Sequence, residues 1–415
     1  MKKKVNNFWD ILNQIEDEFM EKGHIFENER SDANAFIQKY KKLSSKIIKT
    51  PKTCMFPNCN KESIKRSHTI QNASSLERMA KKGHVFQPVW EDFSSNYQMD
   101  KIGVNNASVF TGFCKEHEEI FRNYETKKKM SEKYDFILQI YRTICREVVN
   151  VKNWLIINEK TSIAYQDKKK EKFINVLEGE MGNKLDSIGI KKLDIEYPDN
   201  GSFILNRKIE EGQKRLLKFK EFYKASCSDV INKKAKKLSY RIFNLDYYLP
   251  ISLAGVASFS IEKNEVIFII NILPFEKETF FLISSLKRDE AYLEEYFETF
   301  TQHPLLILDM VESWMIHGSD HWFINIDVWN KISSDKQKKI LNDLLVTEKS
   351  IWNQYDLSIF DEVREEYLKM LFPFDFDEYS ESLKALINSQ KEKLEKKPGK
   401  LLDSEEYLAD YWLKS

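Results

Sequence analysis

The sequence has few of the residues that interrupt secondary structure and few that cross-link a chain. Its 415 residues include only 12 glycines, 9 prolines and 5 cysteines. Scarce glycine and proline favour helices over loop-rich structure. An odd number of cysteines spread over a long chain is not the pattern of a secreted domain held by disulfides. Cysteines that lie close together in such a chain are better explained as metal ligands.

Long apolar runs and a charge imbalance are also missing. No run approaches the roughly 20 apolar residues that span a bilayer. The first residues, MKKKVNNFWDILNQIEDEF, turn acidic too early for a signal peptide. We therefore expect a cytoplasmic protein without membrane contact. Basic and acidic residues number 65 each, so net charge indicates neither a nucleic acid nor a membrane, and electrostatic arguments must be local.

Three common motifs of catalysis and nucleotide binding do not occur. The chain has no G-x-x-x-x-G-K-[ST], no G-x-G-x-x-G and no G-x-S-x-G, which removes support for nucleotide-phosphate loops and for a serine nucleophile. His317 and His321 are four residues apart around Gly318. They could share a metal only in a helix that continues through the glycine, and core or surface histidines are the better interpretation.

The residues that are present predict a folded, mainly helical α+β protein. Hydrophobic residues make up 42% and aromatic residues 13%, enough for several cores. Apolar positions three and four apart predict a helix from Tyr134 through Val149, with Cys145 as a core thiol, and a second helix over 204–238. Three β-branched and aromatic runs within 251–286 predict an antiparallel meander covered by the helices after 287.

These patterns predict four parts. We expect N-terminal helices over 1–48, a zinc-binding module over 49–125, a helical region over 126–238 and a separate α+β domain over 239–415, because a chain of 415 residues exceeds the usual size of one core. The meander strands are too short and too apolar to stand alone, so we expect them in a sheet of their own with helices over it.

Two short-spaced pairs of potential metal ligands occur in the second part. Cys54 and Cys59 flank a turn in TCMFPNCN, and Cys114 and His117 lie three apart at a predicted helix start in FCKEH. Two such pairs are the usual way to supply the four ligands of a tetrahedral zinc. The alternative is three ordinary thiols and a surface histidine, but three of five cysteines in two close pairs favour structural Zn²⁺.

If those four residues close the site, His68 in RSHTIQ is left over, on a stretch that alternates like a strand. A cysteine turn, a strand with a histidine, an asparagine loop and a helix with the second ligand pair together resemble the HNH (His-Me finger) endonucleases on a treble-clef zinc fold. The resemblance covers about residues 50–125. It implies that His68 is a general base, that Asn105 or Asn106 orients it, and that the helix supplies a ligand for catalytic Mg²⁺ or Mn²⁺.

The chain departs from the family pattern in three respects, one of which is a longer segment between the two ligand pairs. Ser67 stands where the family has an acidic metal ligand, and the second pair is Cys-x2-His instead of Cys-x2-Cys. Glu118 and Asn123, on the predicted helix after Cys114, are alternative sources of a metal ligand. A solvated helix carboxylate is the ordinary interpretation of Glu118, and a treble clef without catalysis remains an open alternative.

The segment around the cysteine turn is basic. From Lys39 to His68 there are nine lysines and arginines and one acid, and we expect Lys61, Lys65 and Arg66 to contact phosphate. The alternative is a solvated surface in a lysine-rich chain. The resemblance to the HNH endonucleases, together with this basic segment, implies a metal-dependent endonuclease that acts on nucleic acid, DNA more than RNA, and by analogy one of the kind familiar in bacterial anti-phage defence. The C-terminal domain would bind a protein partner or ligand. The alternative function is a non-enzymatic, zinc-stabilised binding or sensor protein.

Overall fold

The protein is α+β and predominantly helical, as the sequence predicts. The computed structural model describes residues 30–91, 96–187, 202–261, 264–345, 349–371 and 379–398. Its α-helices are α1 (Arg30–Lys49), α2 (Glu77–Met79), α3 (Lys115–Glu118), α4 (Arg122–Lys127), α5 (Lys133–Ser187), α6 (Ser202–Asn232), α7 (Glu290–Phe300), α8 (Pro304–Ser313), α9 (Ile326–Lys331), α10 (Ser334–Asp343), α11 (Asp361–Leu371) and α12 (Glu381–Glu395). The helix predicted before residue 30 lies outside the described residues. None of the described helices is long and apolar enough to cross a bilayer.

The chain divides into two compact units. One unit comprises residues 1–50 and 150–218, and the other comprises 51–149 and 219–415. The described part of the first unit is helical and consists of α1 with parts of α5 and α6. The second unit contains all the described strands and both predicted ligand pairs.

Nine strands among the described residues form two antiparallel sheets in the second unit. They are β1 (Ser67–His68), β2 (His84–Glu91), β3 (Asn96–Gly103), β4 (Val109–Phe110), β5 (Leu238–Leu245), β6 (Ile251–Ile261), β7 (Asn264–Pro274), β8 (Thr279–Leu286) and β9 (Trp322–Ile324). Strands β6, β7 and β8 are the predicted antiparallel meander. The helix expected over 204–238 ends at Asn232, because the chain then enters β5.

The meander is buried on both faces. Phe268, Ile270 and Ile272 of β7 join one core with residues of helices α7 and α8. The alternate residue Asn271 points to the other face, where its Oδ1 accepts hydrogen bonds from Gln139 and Thr143 of α5 at 3.0 and 2.8 Å. Burial on both faces explains why the sequence of these strands is almost continuously apolar.

The large sheet extends beyond the meander, which differs from our expectation of a sheet of its own. Its strand order is β3-β2-β9-β6-β7-β8-β5. The three-residue strand β9 pairs with β6 on one side and, through Ile324 opposite Phe86, with β2 on the other. Strands from the predicted zinc module and from the predicted C-terminal domain therefore share one sheet and one compact unit.

A buried group of charges ties three C-terminal helices together. Arg364 of α11 and Lys393 of α12 both pair with Asp309 and Glu312 of α8, and Gln390 completes the group. Arg364 and both carboxylates are inaccessible to solvent. Two cations face two anions, so the charges balance and each buried group has partners.

Candidate metal centre

The first ligand pair lies on a tight turn. The backbone N–H of Cys54 donates to the Lys61 carbonyl at 2.8 Å, and that of Cys59 donates to the Phe56 carbonyl at 3.1 Å. Between the cysteines, Asn58 has a φ of +60°, a left-handed conformation that asparagine tolerates better than most residues. The turn therefore folds back on itself and brings both thiols to one side.

The second pair is placed by the start of a helix. Cys114 has extended backbone angles directly before α3, and His117 follows one turn later, so both side chains project from the same side. The segment is anchored to the cysteine turn by backbone hydrogen bonds from Met55 to Gly112 and from Ile64 to Phe113, at 2.8 and 2.7 Å.

The four ligand atoms form a compact group, all within 4.8 Å of one another. His117 Nδ1 lies 3.3 Å from Cys114 Sγ and 3.5 Å from Cys54 Sγ, and the sulfurs of Cys59 and Cys114 are 4.0 Å apart. A tetrahedral zinc with ordinary bond lengths requires ligand separations of about 3.5–3.8 Å. The cluster can hold a metal ion, and it is the one such group found in the described residues.

Backbone hydrogen bonds and burial act in opposite directions on the Cys54 thiol. Cys54 Sγ accepts hydrogen bonds from the backbone N–H groups of Cys114 at 3.3 Å and Phe56 at 3.5 Å. Burial nevertheless raises the pKa of the Cys54 thiol to about 12, so the thiolate would need a bound cation to stay ionised. The Phe56 ring stacks on the His117 imidazole, with centroids 3.9 Å apart and planes 10° apart, and fixes its orientation.

His68 lies outside the cluster, on the small sheet. Strand β1 pairs with β4, which places His68 opposite Val109. The His68 Nδ1 is 3.2 Å from the Ala107 carbonyl oxygen. A carbonyl only accepts, so Nδ1 carries the proton and donates it, and Nε2 of the neutral ring is left with a lone pair. Burial and the nearby Arg142 guanidinium lower the pKa of His68, against the raising effect of the Ala107 hydrogen bond.

The two predicted asparagines lie in the exposed turn between β3 and β4. Asn105 Oδ1 accepts a hydrogen bond from Asn72 Nδ2 at 2.9 Å, and the backbone N–H of Asn106 donates to the Gly103 carbonyl at 2.8 Å. In the described structure no hydrogen bond joins either asparagine to His68. The group that orients the imidazole is instead the backbone carbonyl of Ala107, one residue beyond the predicted pair.

The position before His68 is occupied by a structural serine. Ser67 is fully buried, and its Oγ accepts a hydrogen bond from the Phe113 backbone N–H at 3.1 Å. This bond joins β1 to the segment that carries Cys114. Ser67 therefore sets the position of the strand and has no access to a cleft.

The three predicted phosphate contacts are all exposed, but they differ in their partners. Lys61 forms an ion pair with Glu116, one residue before His117 of the cluster. Lys65 and Arg66 form no ion pair with the described residues. Two of the three cations therefore remain available for an anionic ligand.

Sequence reasoning missed a buried arginine. Arg142 of α5 is fully buried and donates to Glu118 Oε1 and Glu125 Oε1, both at 2.5 Å. Its guanidinium lies 4.4 Å from the centre of the Phe121 ring. Arg142 thus joins α3 and α4, which follow the metal ligands, to the long helix α5. Glu118, predicted as a solvated carboxylate or metal ligand, is held by this arginine, whereas Asn123 is exposed.

The sequence carried one signal for this arginine. Leu138, Arg142, Cys145 and Val149 follow one another at spacings of four, three and four, so a cation interrupts an otherwise apolar helical stripe. A buried charge requires a partner, which directs attention to acids elsewhere in the fold. The pattern cannot identify Glu118 and Glu125 as those acids, because their proximity depends on the packing of two helices.

The chain was compared with protein-family models, curated proteins and solved structures. No protein-family model, no curated protein and no solved structure matches this chain.

Proposed function

We propose that Cys54, Cys59, Cys114 and His117 bind one structural Zn²⁺, with the cysteine turn as the zinc knuckle of a treble clef. Three sulfur donors and one imidazole nitrogen are the ligand set of a closed zinc site. The separations of these atoms and the backbone N–H donors to Cys54 support the proposal. Zinc would hold the turn and α3 together and thereby fix the segments on either side of His68.

We further propose that the chain is a metal-dependent endonuclease of HNH type with His68 as its general base. The single observation that carries this proposal is the hydrogen bond from His68 Nδ1 to the Ala107 carbonyl. It leaves Nε2 as a proton acceptor, and the lowered pKa keeps the ring neutral near pH 7. Nε2 would accept a proton from water as the water oxygen attacks phosphorus, the bond from phosphorus to one ester oxygen would break, and that leaving oxygen would take a proton from solvent.

Glu125 is the proposed replacement for the acidic residue that Ser67 does not supply. It is the nearby acid whose charge raises the pKa of His68, and about a third of its side chain is exposed. Arg142 holds only Oε1. The other carboxylate oxygen of Glu125 would take part in binding catalytic Mg²⁺ or Mn²⁺, hard cations that prefer oxygen ligands. Such an ion, when bound, stabilises charge that develops on the phosphate.

The proposed substrate is nucleic acid, with DNA favoured over RNA. Lys65 and Arg66 directly precede β1, which carries His68, and both are exposed. Their charges would hold a phosphodiester backbone beside the imidazole. Lys61 would contribute only if its ion pair with Glu116 opened.

A non-enzymatic binding protein is the second candidate, and a specific observation favours it. The Ser67 hydroxyl already accepts a hydrogen bond from the Phe113 N–H. One carboxylate oxygen of Glu118 and one of Glu125 already accept hydrogen bonds from Arg142. In a binding protein these contacts would be purely structural, and the zinc site would stabilise a surface for a partner.

Comparison of wild type with His68→Ala distinguishes the two candidates. Both proteins are incubated with plasmid DNA, single-stranded DNA and RNA in Mg²⁺ or Mn²⁺. If His68 is the base, the variant keeps its zinc and its free energy of unfolding within about 1 kcal/mol but loses about 100-fold or more of its cleavage rate.

Thr69→Ala is the control, because Thr69 is the next residue and its hydroxyl has no hydrogen-bond partner among the described residues. It should cleave like wild type. Equal cleavage by wild type and His68→Ala would remove His68 from the mechanism. Loss of zinc in His68→Ala would give it a structural role.

A further inference from the structure

The helix α1 carries a row of lysines in the first unit of the chain. Lys39, Lys42, Lys46 and Lys49 follow one another at spacings of three, four and three, which places them on one side of a helix within an arc of about 80°. All four are exposed. We call these four residues the lysine row.

The lysine row lies next to the apolar side of α1 but does not include it. Tyr40, Leu43 and Ile47 are partly buried and lie on a different side of the helix at the same 3.6-residue period. Gln38 and Ser45 border the row. No aromatic or large apolar side chain lies within it, so it lacks the groups that insert into a bilayer or stack on bases.

The charges of the row have no counterions within the described structure. From residue 33 to residue 49 the helix contains no acid, and none of the four lysines forms an ion pair with a described residue. Four exposed lysines elsewhere in the chain serve as a comparison. Lys81, Lys127, Lys287 and Lys331 each pair with an aspartate or glutamate. The row is therefore an excess of positive charge that the described residues do not neutralise.

We propose that the lysine row binds the phosphate backbone of a nucleic-acid duplex. From Lys39 to Lys49 the helix rises about 15 Å, which is the axial rise of four to five phosphates on one strand of B-DNA. A rigid helix that presents ammonium groups at regular intervals suits a regular polyanion. The inference extends the proposed function, from which it takes nucleic acid as the partner, and it assigns a backbone contact to the first unit that is independent of cleavage.

The test is the salt dependence of duplex binding by the full-length chain. A variant with Lys39→Gln, Lys42→Gln, Lys46→Gln and Lys49→Gln is compared with wild type by fluorescence anisotropy on a labelled 20-base-pair DNA duplex, with EDTA absent and no added Mg²⁺. Each neutralised phosphate contributes about 0.9 to the slope of log K against log salt. The variant should lose up to about 3.6 of that slope. Between 50 and 200 mM salt, the affinity of wild type should then fall up to about 150-fold more than that of the variant.

The control variant removes the same charge elsewhere, by changing Lys81, Lys127, Lys287 and Lys331 to Gln. Its slope should differ from wild type by less than about 1. Equal losses in the two variants would reduce the row to a net-charge effect and overturn the proposal. An unchanged slope in the row variant, or no duplex binding by wild type, would overturn it as well. If the row variant lost binding to vesicles of anionic phospholipid but kept duplex binding, the row would be assigned to membrane binding instead.

The same measurement on His68→Ala separates this inference from the proposed function. If duplex binding depends on the row but neither wild type nor any variant cleaves nucleic acid, the result would support phosphate binding by the lysine row and count against the endonuclease. If cleavage depends on His68 but duplex binding does not depend on the row, the result would support the endonuclease and count against phosphate binding by the row.

Discussion

Replacing Arg142 with methionine tests the contact between the metal-ligand segment and α5. Methionine keeps much of the side-chain length but removes the cation, so Glu118 and Glu125 lose their shared partner. Breaking a buried ion pair from one side costs roughly 3–5 kcal/mol. Here 20% of the Glu118 side chain and 32% of the Glu125 side chain are exposed, so water would recover part of that loss. We expect the free energy of unfolding to fall by about 2–3 kcal/mol.

The same change should alter the proton affinity of His68. The positive charge of Arg142 lowers the pKa of this imidazole, and the charge of Glu125 raises it. Without the arginine, the first effect disappears and the second remains, so the pKa should rise. A larger fraction of His68 would then be protonated near neutral pH, and cleavage by a general base would lose activity first at the acidic end of its pH range.

Two measurements check this prediction. Urea denaturation gives the free energy of unfolding, and NMR titration of histidine ring carbons gives the pKa of His68, with His68→Gln used to assign its signal. Arg122→Met is the matched control, because Arg122 lies on α4 in an exposed pair with Glu119 and should contribute less than about 1 kcal/mol. If both arginine variants unfold alike and the His68 signal titrates as in wild type, the described role of Arg142 is wrong.

Two further predictions concern the cysteine cluster and a buried histidine. Cys59→Ser should reduce bound zinc to less than about half an equivalent by elemental analysis, whereas Cys227→Ser, a change outside the cluster, should keep about one; equal zinc in the two variants would contradict the site. Burial lowers the pKa of His317 to about 4, below the unfolded value near 6.5, so its contribution to stability is present at pH 7 and is lost as the pH falls from about 6.5 to 4. Wild type should therefore lose about 1–2 kcal/mol more than His317→Phe between pH 7 and pH 4 in urea denaturation, less than the full value of the shift because the imidazole is partly exposed, and parallel pH profiles would contradict this.

Local patterns in the sequence were sufficient for several features. The apolar period of Tyr134 to Val149 lies within α5, and the β-branched runs of 251–286 are β6 to β8. The two ligand pairs could be recognised because each depends on spacing within a turn or a helix. That the two pairs lie close together in the fold could be predicted because a tetrahedral zinc takes four ligands.

Features that depend on distant contacts could not be predicted in the same way. The hairpin of β2 and β3 was missed, partly because Pro88 interrupts the strand HVFQPVWE. The strand tolerates this proline because β9 reaches β2 only at Phe86, so the side of β2 next to β9 is unpaired at residue 88. The hydrogen bond from His68 to Ala107 was also beyond sequence reasoning, because a backbone carbonyl leaves no trace in the residue type. The pairing of Arg142 with Glu118 and Glu125 likewise depends on helix packing.

The position of β9 in the large sheet has a consequence for synthesis on the ribosome. Strand β2 ends at Glu91, but β9, which joins it to the meander, begins at Trp322. At about 5–20 residues per second, the ribosome needs roughly 10–50 s to bridge that interval. Both ligand pairs are complete long before then, so a bound metal can order the cysteine turn early. The edge of β2 meanwhile stays open to wrong partners until the last quarter of the chain emerges.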